Sequence, residues 1–354
     1  MDVGTATAKP GELTTGYLDV TELPTGGVER LPVLIAQGET DGPTLWVTAS
    51  IHGNELNGMA VAQDVMTDDL PERLSGTVVC LPNLNPAGLR RNARTSYYDD
   101  DDPNRYFPEA EPSRVGPPGV QEVIDRRVYD AIVDSADAVL SLHTAQVHSR
   151  AFTIRGRVPY GEERTEEAAS ELAAEIDALV DAFGVPVVTQ FPQDDYEERG
   201  LNRSLAGSLV DVAGIPAFTP ELGGHSVVEE RNREAGVTGT YNVMKAMEML
   251  PGDPEENEAA PDDPVEFPVC RHWGPHTETA GVVRYRVEAG DLVEPGTPVA
   301  DVVTPHGEVK TTVEAEHEGY VVARLEGGVA YENDALLSLA VRDEGDLVVE
   351  SESA

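Results

Sequence analysis

TLWVTASIHGNELNG, residues 44–58, joins two kinds of local structure in one short stretch. Its first half is apolar and rich in β-branched residues, the pattern of a buried strand, and from Glu55 onward the spacing turns helical. His52 and Glu55 stand at the junction. In a sheet built by alternating strands and helices, ligands bind just outside the carboxyl ends of the strands. The junction therefore bears on the fold and on the chemistry together.

The same alternation repeats along the chain. Apolar, strand-like runs recur at residues 31–36, 77–81, 138–142, 186–189 and 216–219, and helical spacing fills 55–66, 120–132, 164–182 and 229–249. Strands separated by helices predict an α/β domain over residues 1–250, with a mostly parallel or mixed sheet flanked by helices. After Leu250 the composition shifts to PGDPEENEAAPDDPVEFP, an acidic, proline-rich linker over residues 251–268. Short strand-like runs split by turn signals then predict a small all-β domain over residues 269–342, and a polar tail over 343–354.

Two further strand ends carry reactive side chains. His143 follows the run 138–142 in VLSLHTA, and Glu221 follows the run 216–219 in AFTPELGG. Two neutral imidazoles and one carboxylate with an open fourth position form the usual catalytic zinc set, which His52, Glu55 and His143 would supply. Within HGNE, Gly53 lets the backbone bend so that one turn delivers two ligands. Glu221 is the candidate base: a carboxylate near such a metal can take a proton from water and hand it to a leaving amine.

Composition narrows the partners. The 354 residues hold 65 Asp and Glu against 25 Lys and Arg, a formal net charge of −40, so nucleic acid and anionic membranes are poor partners for the bulk surface. Lysine is confined to Lys9, Lys245 and Lys310. A folded acidic surface with few ammonium groups fits a halophilic protein, hydrated where salt screens its self-repulsion. The start MDVGTATAKPGELTTG has no basic or apolar core of a signal peptide, and no run is long enough to span a bilayer, so a soluble cytoplasmic protein is expected. Cys80 and Cys270 read as small buried hydrophobes.

Between the two zinc half-sites lies NPAGLRRNARTSYYDDDDPNRYFP, residues 85–108. With HGNE at 52–55, NPAG at 85–88, Arg94, then Asp99, Asp102, Asn104, Arg105, Phe107 and Pro108, SLHT at 141–144 and GIPAFTPELGG at 214–224, the chain resembles the succinylglutamate desuccinylase/aspartoacylase family. These are zinc amidohydrolases related to the metallocarboxypeptidases. The resemblance implies a zinc-carboxypeptidase-like fold with one zinc ion per chain held by His52, Glu55 and His143, and Glu221 as general base and acid. It further implies that Arg94 polarises the scissile carbonyl and that Asn104 and Arg105 bind a substrate carboxylate. The implied substrate is a small N-acyl amino acid.

The chain departs from the family pattern at Pro103, where leucine is common, and by the acidic run 99–102, read as a solvated loop. The C-terminal domain resembles barrel-sandwich, biotinyl/lipoyl-like domains, without a modified-lysine tip at Lys310, which reads as an ordinary strand residue; shaping access or a homo-oligomer contact are its expected uses. A metallocarboxypeptidase acting on peptides and a non-catalytic carrier protein are the competing readings. His272 and His276 in HWGPH have helical metal spacing, which Gly274 and Pro275 interrupt. His148, His225, His306 and His317 are left without a clear pairing, with His225 placed near enough to Glu221 in sequence to line its pocket.

Overall fold

The computed structural model describes residues 1–98, 100–108, 118–224, 226–325 and 327–351. Twelve strands form one mixed sheet: β1 (Glu12–Glu22), β2 (Val28–Gln37), β3 (Thr40–Ala49), β4 (Ser75–Leu81), β5 (Ala138–Ala145), β6 (Phe152–Arg155), β7 (Val187–Thr189), β8 (Ala217–Gly224), β9 (Val269–Trp273), β10 (Leu292–Val293), β11 (Gly319–Arg324) and β12 (Leu337–Arg342). Across the sheet they run β10, β11, β12, β9, β7, β6, β8, β5, β3, β4, β2, β1. Among the helices are α1 (Leu56–Val65), α2 (Val120–Val133), α3 (Glu166–Phe183), α4 (Gln193–Glu198) and α5 (Glu230–Ala246).

The centre is parallel and the flanks are not. Strands β4, β3, β5 and β8 run parallel in adjacent positions, with Trp46 opposite Val79 on one side and Val139 on the other. These are the apolar runs read from sequence, and burial on both faces explains why they carry no alternation. Leu45, Trp46, Leu140 and Val79 are fully buried. The antiparallel flanks come from the β1–β2 hairpin, from β2 against β4, and from β6 against β8. Strand β1 had no counterpart in the sequence reading, because its burial alternates along an exposed edge and its apolar residues are sparse.

Helices cover the sheet. Helix α1 lies against β5 so closely that a Cβ on Gly58 would fall 2.8 Å from the Leu142 carbonyl oxygen. Helix α3 starts at Thr165, whose side-chain oxygen accepts a hydrogen bond from the Ala168 amide at 3.3 Å, and packs on α5, with Phe183 edge-on to Phe218 at 5.9 Å. Among the described residues no helix is long and apolar enough to cross a membrane. Cys80 and Cys270 are free and buried.

The C-terminal strands are antiparallel, and they divide between two sheets. Strands β9 to β12 extend the large sheet, joined to it where β9 runs parallel to β7 at the pair Thr189 and Cys270. Gly281–Tyr285, Pro298–Val303, Val309–Glu314 and Val329–Ala330 form a separate four-stranded sheet, and an apolar cluster including Val299, Val302, Val321 and Leu339 fills the space between. Residues 251–268 hold no helix or interior strand, yet buried Asn257 fastens them by donating to the Phe183 and Ala235 carbonyls at 3.1 and 2.9 Å. Past β12, Arg157 forks onto both carboxylate oxygens of Asp343 at 2.9 Å, and Val348–Glu350 pairs in parallel with Val158–Tyr160.

Candidate active site

Three neighbouring parallel strands bring the chemistry to one place. The loop after β3 supplies His52 and Glu55, β5 supplies His143, and β8 supplies Glu221. His143 and Glu221 lie inside strands that run on to Ala145 and Gly224, where the sequence reading ended both strands earlier; the two residues face each other in register. Pairing continues past them because β8 shifts register between Glu221 and Gly224 and so keeps contact with β5.

His52, Glu55 and His143 are each 4% exposed. One ligand atom from each lies within 4.8 Å of the other two. The Glu55 carboxylate sits between the imidazoles, 2.6 Å from His52 Nδ1 and 3.0 Å from His143 Nδ1, and also accepts the Thr144 amide at 3.2 Å. Burial alone would raise its pKa; the two histidines outweigh burial and hold the carboxyl well below the usual carboxylate range. Two imidazoles and a carboxylate, with the Nε2 of His143 buried and unbonded, form a donor set that fits a divalent cation of the zinc type.

The ligand loop is built by close approach. A Cβ on Gly53 would lie 2.2 Å from the Gly88 carbonyl carbon and 2.3 Å from the Leu89 amide, so the residue must be glycine because backbone passes against backbone, a stricter reason than the bend expected from sequence. Ser50 takes a left-handed conformation (φ 50°) and its hydroxyl donates to the Glu55 carbonyl at 2.9 Å. Fully buried Asn85 donates from Nδ2 to the carbonyls of Ile51 and Arg94 at 3.0 and 3.3 Å, fastening the metal loop to the arginine loop.

The arginine segment meets the cluster through Asp102. Its Oδ1 lies 3.1 Å from His52 Nε2 and accepts the Asn104 amide at 2.9 Å; its Oδ2 accepts from Arg94 at 2.9 Å and lies 3.6 Å from Arg105. Burial works against ionisation of Asp102, but the hydrogen bond and charge of His52, then Arg94 and Arg105, hold its carboxyl far below the ordinary range. Asp102 thus departs from the solvated loop expected of the acidic run; Asp100 and Asp101 remain exposed, and Asp99 lies outside the described residues. Arg94 also reaches Glu55 at 3.3 Å and is half exposed. Pro103 is buried, and Asn104 is held with its Oδ1 accepting the Leu205 amide at 2.8 Å.

Glu221 has one carboxylate oxygen, Oε2, buried without a partner. Burial raises its pKa, His143 lowers it, and the Glu55 charge raises it again, leaving it above the ordinary glutamate value. That combination suits a proton carrier.

Arg271 on β9 faces this carboxylate group electrostatically, a contribution from the chain past residues 251–268 that no motif in VCRHW announced, and Arg199, just after α4, lies beside Arg271. Of the other histidines, His272 meets His317 ring to ring at 4.6 Å, a pairing far apart in sequence. His225 lies outside the described residues. Lys310 sits on an exposed strand and donates to the Ala280 carbonyl at 2.5 Å.

Residues 41–247 match the model of the succinylglutamate desuccinylase/aspartoacylase catalytic domain. An N-alpha-acetyl-L-2,4-diaminobutyric acid deacetylase of Halomonas elongata is 25% identical over 307 residues, which cover 84% of this chain and 82% of that protein. Among solved structures, the product-bound ectoine utilization protein EutE (DoeB) of Ruegeria pomeroyi aligns with a TM-score of 0.76 at 21% identity, over 96% of this chain and all of that one. A succinylglutamate desuccinylase/aspartoacylase of Rhodobacter sphaeroides aligns with a TM-score of 0.76 at 20% identity, over 94% and 96% of the two chains. The arrangement of the large sheet and its C-terminal extension is thus a shared fold.

Proposed function

The chain belongs to the succinylglutamate desuccinylase/aspartoacylase family, and from that premise we propose that it is a zinc-dependent deacylase hydrolysing the amide bond of a small N-acyl amino acid. The observation that carries the reading is the convergence of buried His52, Glu55 and His143, with Glu221 in register beside His143. The Halomonas relative, named for deacetylation of an N-acetyl amino acid, supports the amide chemistry.

A zinc ion at these three ligands would supply a Lewis acid for the amide carbonyl and a water of lowered pKa. The protein's own groups do the rest. Arg94 offers a fixed guanidinium to the carbonyl oxygen as negative charge develops there. Glu221, its pKa raised by burial, takes the proton of the attacking water and passes it to the amine nitrogen as the C–N bond breaks. Asn104 and Arg105 grip the substrate carboxylate and so align the amide. Asp102 orients His52 through Nε2, so that Nδ1, which faces Glu55, is the nitrogen that would hold a cation.

The test is metal analysis of the purified protein followed by a hydrolysis screen, at high salt, of N-acetyl and N-succinyl amino acids beside short peptides. One zinc per chain and turnover of acyl amino acids is the expected result. Peptide cleavage in place of deacylation, or full activity without metal, would overturn it.

A further inference from the structure

Glu29, at the start of β2, is a carboxylate with no access to solvent, and both of its oxygens are taken. Arg90 forks onto them, Nη1 donating to Oε2 and Nη2 to Oε1, each at 2.8 Å, and the Tyr98 hydroxyl donates to Oε2 at 2.7 Å. Arg90 Nη1 also reaches the Tyr97 hydroxyl at 3.0 Å, and the rings of Tyr97 and Tyr98 lie 4.6 Å apart. One buried acid thus ties together the first and last residues of the segment 90–98, and Arg94 stands at its midpoint.

The topology explains why an N-terminal acid is there. Strands β3 and β4 run parallel and end at the edge where His52 and Asn85 follow them. Strand β2 runs antiparallel to β4, so its beginning, and Glu29 with it, meets that same edge. A residue outside the family match, which starts at residue 41, is thereby brought to the arginine segment. Burial disfavours the charge on Glu29; the hydrogen bonds from Arg90 and Tyr98 outweigh burial and hold the carboxyl below the ordinary glutamate range. A buried ionised acid is costly to leave unpaired, so the two ends of the segment are kept together. Between them the Arg94 carbonyl accepts from the Gly53 amide at 3.2 Å and from Asn85 at 3.3 Å. Stabilising an oxyanion requires a donor fixed beforehand, and these anchors fix the backbone that carries Arg94.

We propose that Glu29 is a positioning residue for the reaction: through Arg90 and Tyr98 it sets the place of Arg94, which makes the N-terminal β1–β2 hairpin part of the catalytic apparatus. This rests on the deacylase reading above, in which Arg94 meets the carbonyl oxygen. Among the described residues the Glu29 carboxylate bonds neither the proposed metal ligands nor Glu221, so its effect on turnover has to pass through the segment 90–98.

The test measures kcat, KM and zinc content on N-acetyl and N-succinyl amino acids for the parent and for Glu29→Gln, Glu29→Asp and Tyr98→Phe, each well below its melting temperature. Glu29→Gln is then repeated in an Arg94→Ala background. Glu29→Gln should lower kcat by about tenfold or more, with KM within about threefold and zinc unchanged. Tyr98→Phe removes one of the three bonds and should give the same pattern at smaller size, while Glu29→Asp, which keeps the charge, should recover part of the rate. With Arg94 gone nothing is left to position, so the Glu29→Gln effect should shrink to within about twofold. Equal losses in both backgrounds, or a lower melting temperature with kcat untouched, would mean that the carboxylate only holds the fold, and overturn the proposal. Should Glu29→Gln fail to fold, Tyr98→Phe with and without Arg94 carries the same comparison.

A second measurement needs no turnover. Amide hydrogen exchange should quicken in residues 90–98 of Glu29→Gln while residues 44–49 of β3 keep the parent's rate. Unchanged exchange in 90–98 overturns the positioning itself. Faster exchange there in a protein that deacylates nothing, or whose Arg94→Ala variant deacylates as well as the parent, would leave Glu29 as the anchor of the segment and refute the reaction, or the part in it, assigned to Arg94 above.

Discussion

Glu221 and His143 face each other across the parallel pair β8 and β5, each with a side-chain atom, Oε2 and Nε2, buried and unbonded. Backbone pairing thus sets the spacing between the proposed proton carrier and a proposed metal ligand, and a sheet is stiffer than a loop for that purpose. Glu221→Gln keeps the shape and removes the basic oxygen. Turnover should fall by about 10²–10⁴-fold with zinc content unchanged, read by steady-state kinetics and metal analysis on one preparation.

Asp102 bonds the Nε2 of His52, the nitrogen turned away from Glu55. Asp102→Asn keeps the size while weakening that partner and releasing Arg94 and Arg105 from their shared anion. Zinc affinity is expected to drop by about 10–100-fold, measured by competition with a chromophoric chelator. Unchanged affinity would mean that His52 is oriented by its packing alone.

Asn85 is the tie between two loops. Asn85→Ala leaves the Ile51 and Arg94 carbonyls without this donor inside the protein, at an expected cost of about 1–3 kcal/mol in urea unfolding. Activity should fall further than stability alone would require, because the same change frees the Arg94 loop.

The Asp211 carboxyl, which accepts from the Tyr196 hydroxyl at 2.9 Å, is pushed up to about 7 by burial, against the lowering effects of Tyr196 and Arg164. The folded chain therefore keeps a proton that the unfolded chain releases near its ordinary value of 3.8. The stability this provides is complete at acid pH and is lost as pH rises toward 7. Asp211→Asn should gain about 4 kcal/mol relative to the parent between about pH 4 and about pH 8, checked by denaturant melts at both ends. A difference that does not change with pH would refute the assignment.

A formal charge of −40 repels itself, and the halophilic reading expects salt to stabilise the fold by screening that repulsion. At about 0.1 M salt the Debye length is about 10 Å, and it shrinks to about 3 Å at about 1 M. The melting temperature is expected to rise by more than about 10 °C over that range, and equal melting at both salts would remove the halophilic reading.

The parallel centre of the sheet was legible because buried strands declare themselves as continuous apolar runs, and His52, Glu55, His143 and Glu221 each stood beside one of them. Gly53 was legible as a constrained position, though the constraint is contact with Gly88 and Leu89 rather than a turn. Arg271 was not legible. Its environment is assembled from Phe191, Gln190 and Arg199, some eighty residues away along the chain, and no local pattern encodes a partner brought by sheet pairing. Asp102 was hidden differently, inside a run of four aspartates whose composition says solvent and whose geometry singles out one member. The pairing of β9 with β7 was equally silent, since a strand's apolar pattern shows which faces are covered and not which neighbour supplies its hydrogen bonds.

That junction between β7 and β9 has an evolutionary corollary. An appended module that merely rode along could be excised or exchanged by recombination within residues 251–268 without harm to the rest. Here such a cut would bare the backbone edge of β7, strip Val158–Tyr160 of its partner strand, leave Arg157 without Asp343, and take Arg271 with it. The two halves are thus one unit of the fold: an exchange at residues 251–268 would have to replace a sheet neighbour, a partner strand and an ion-pair acid together.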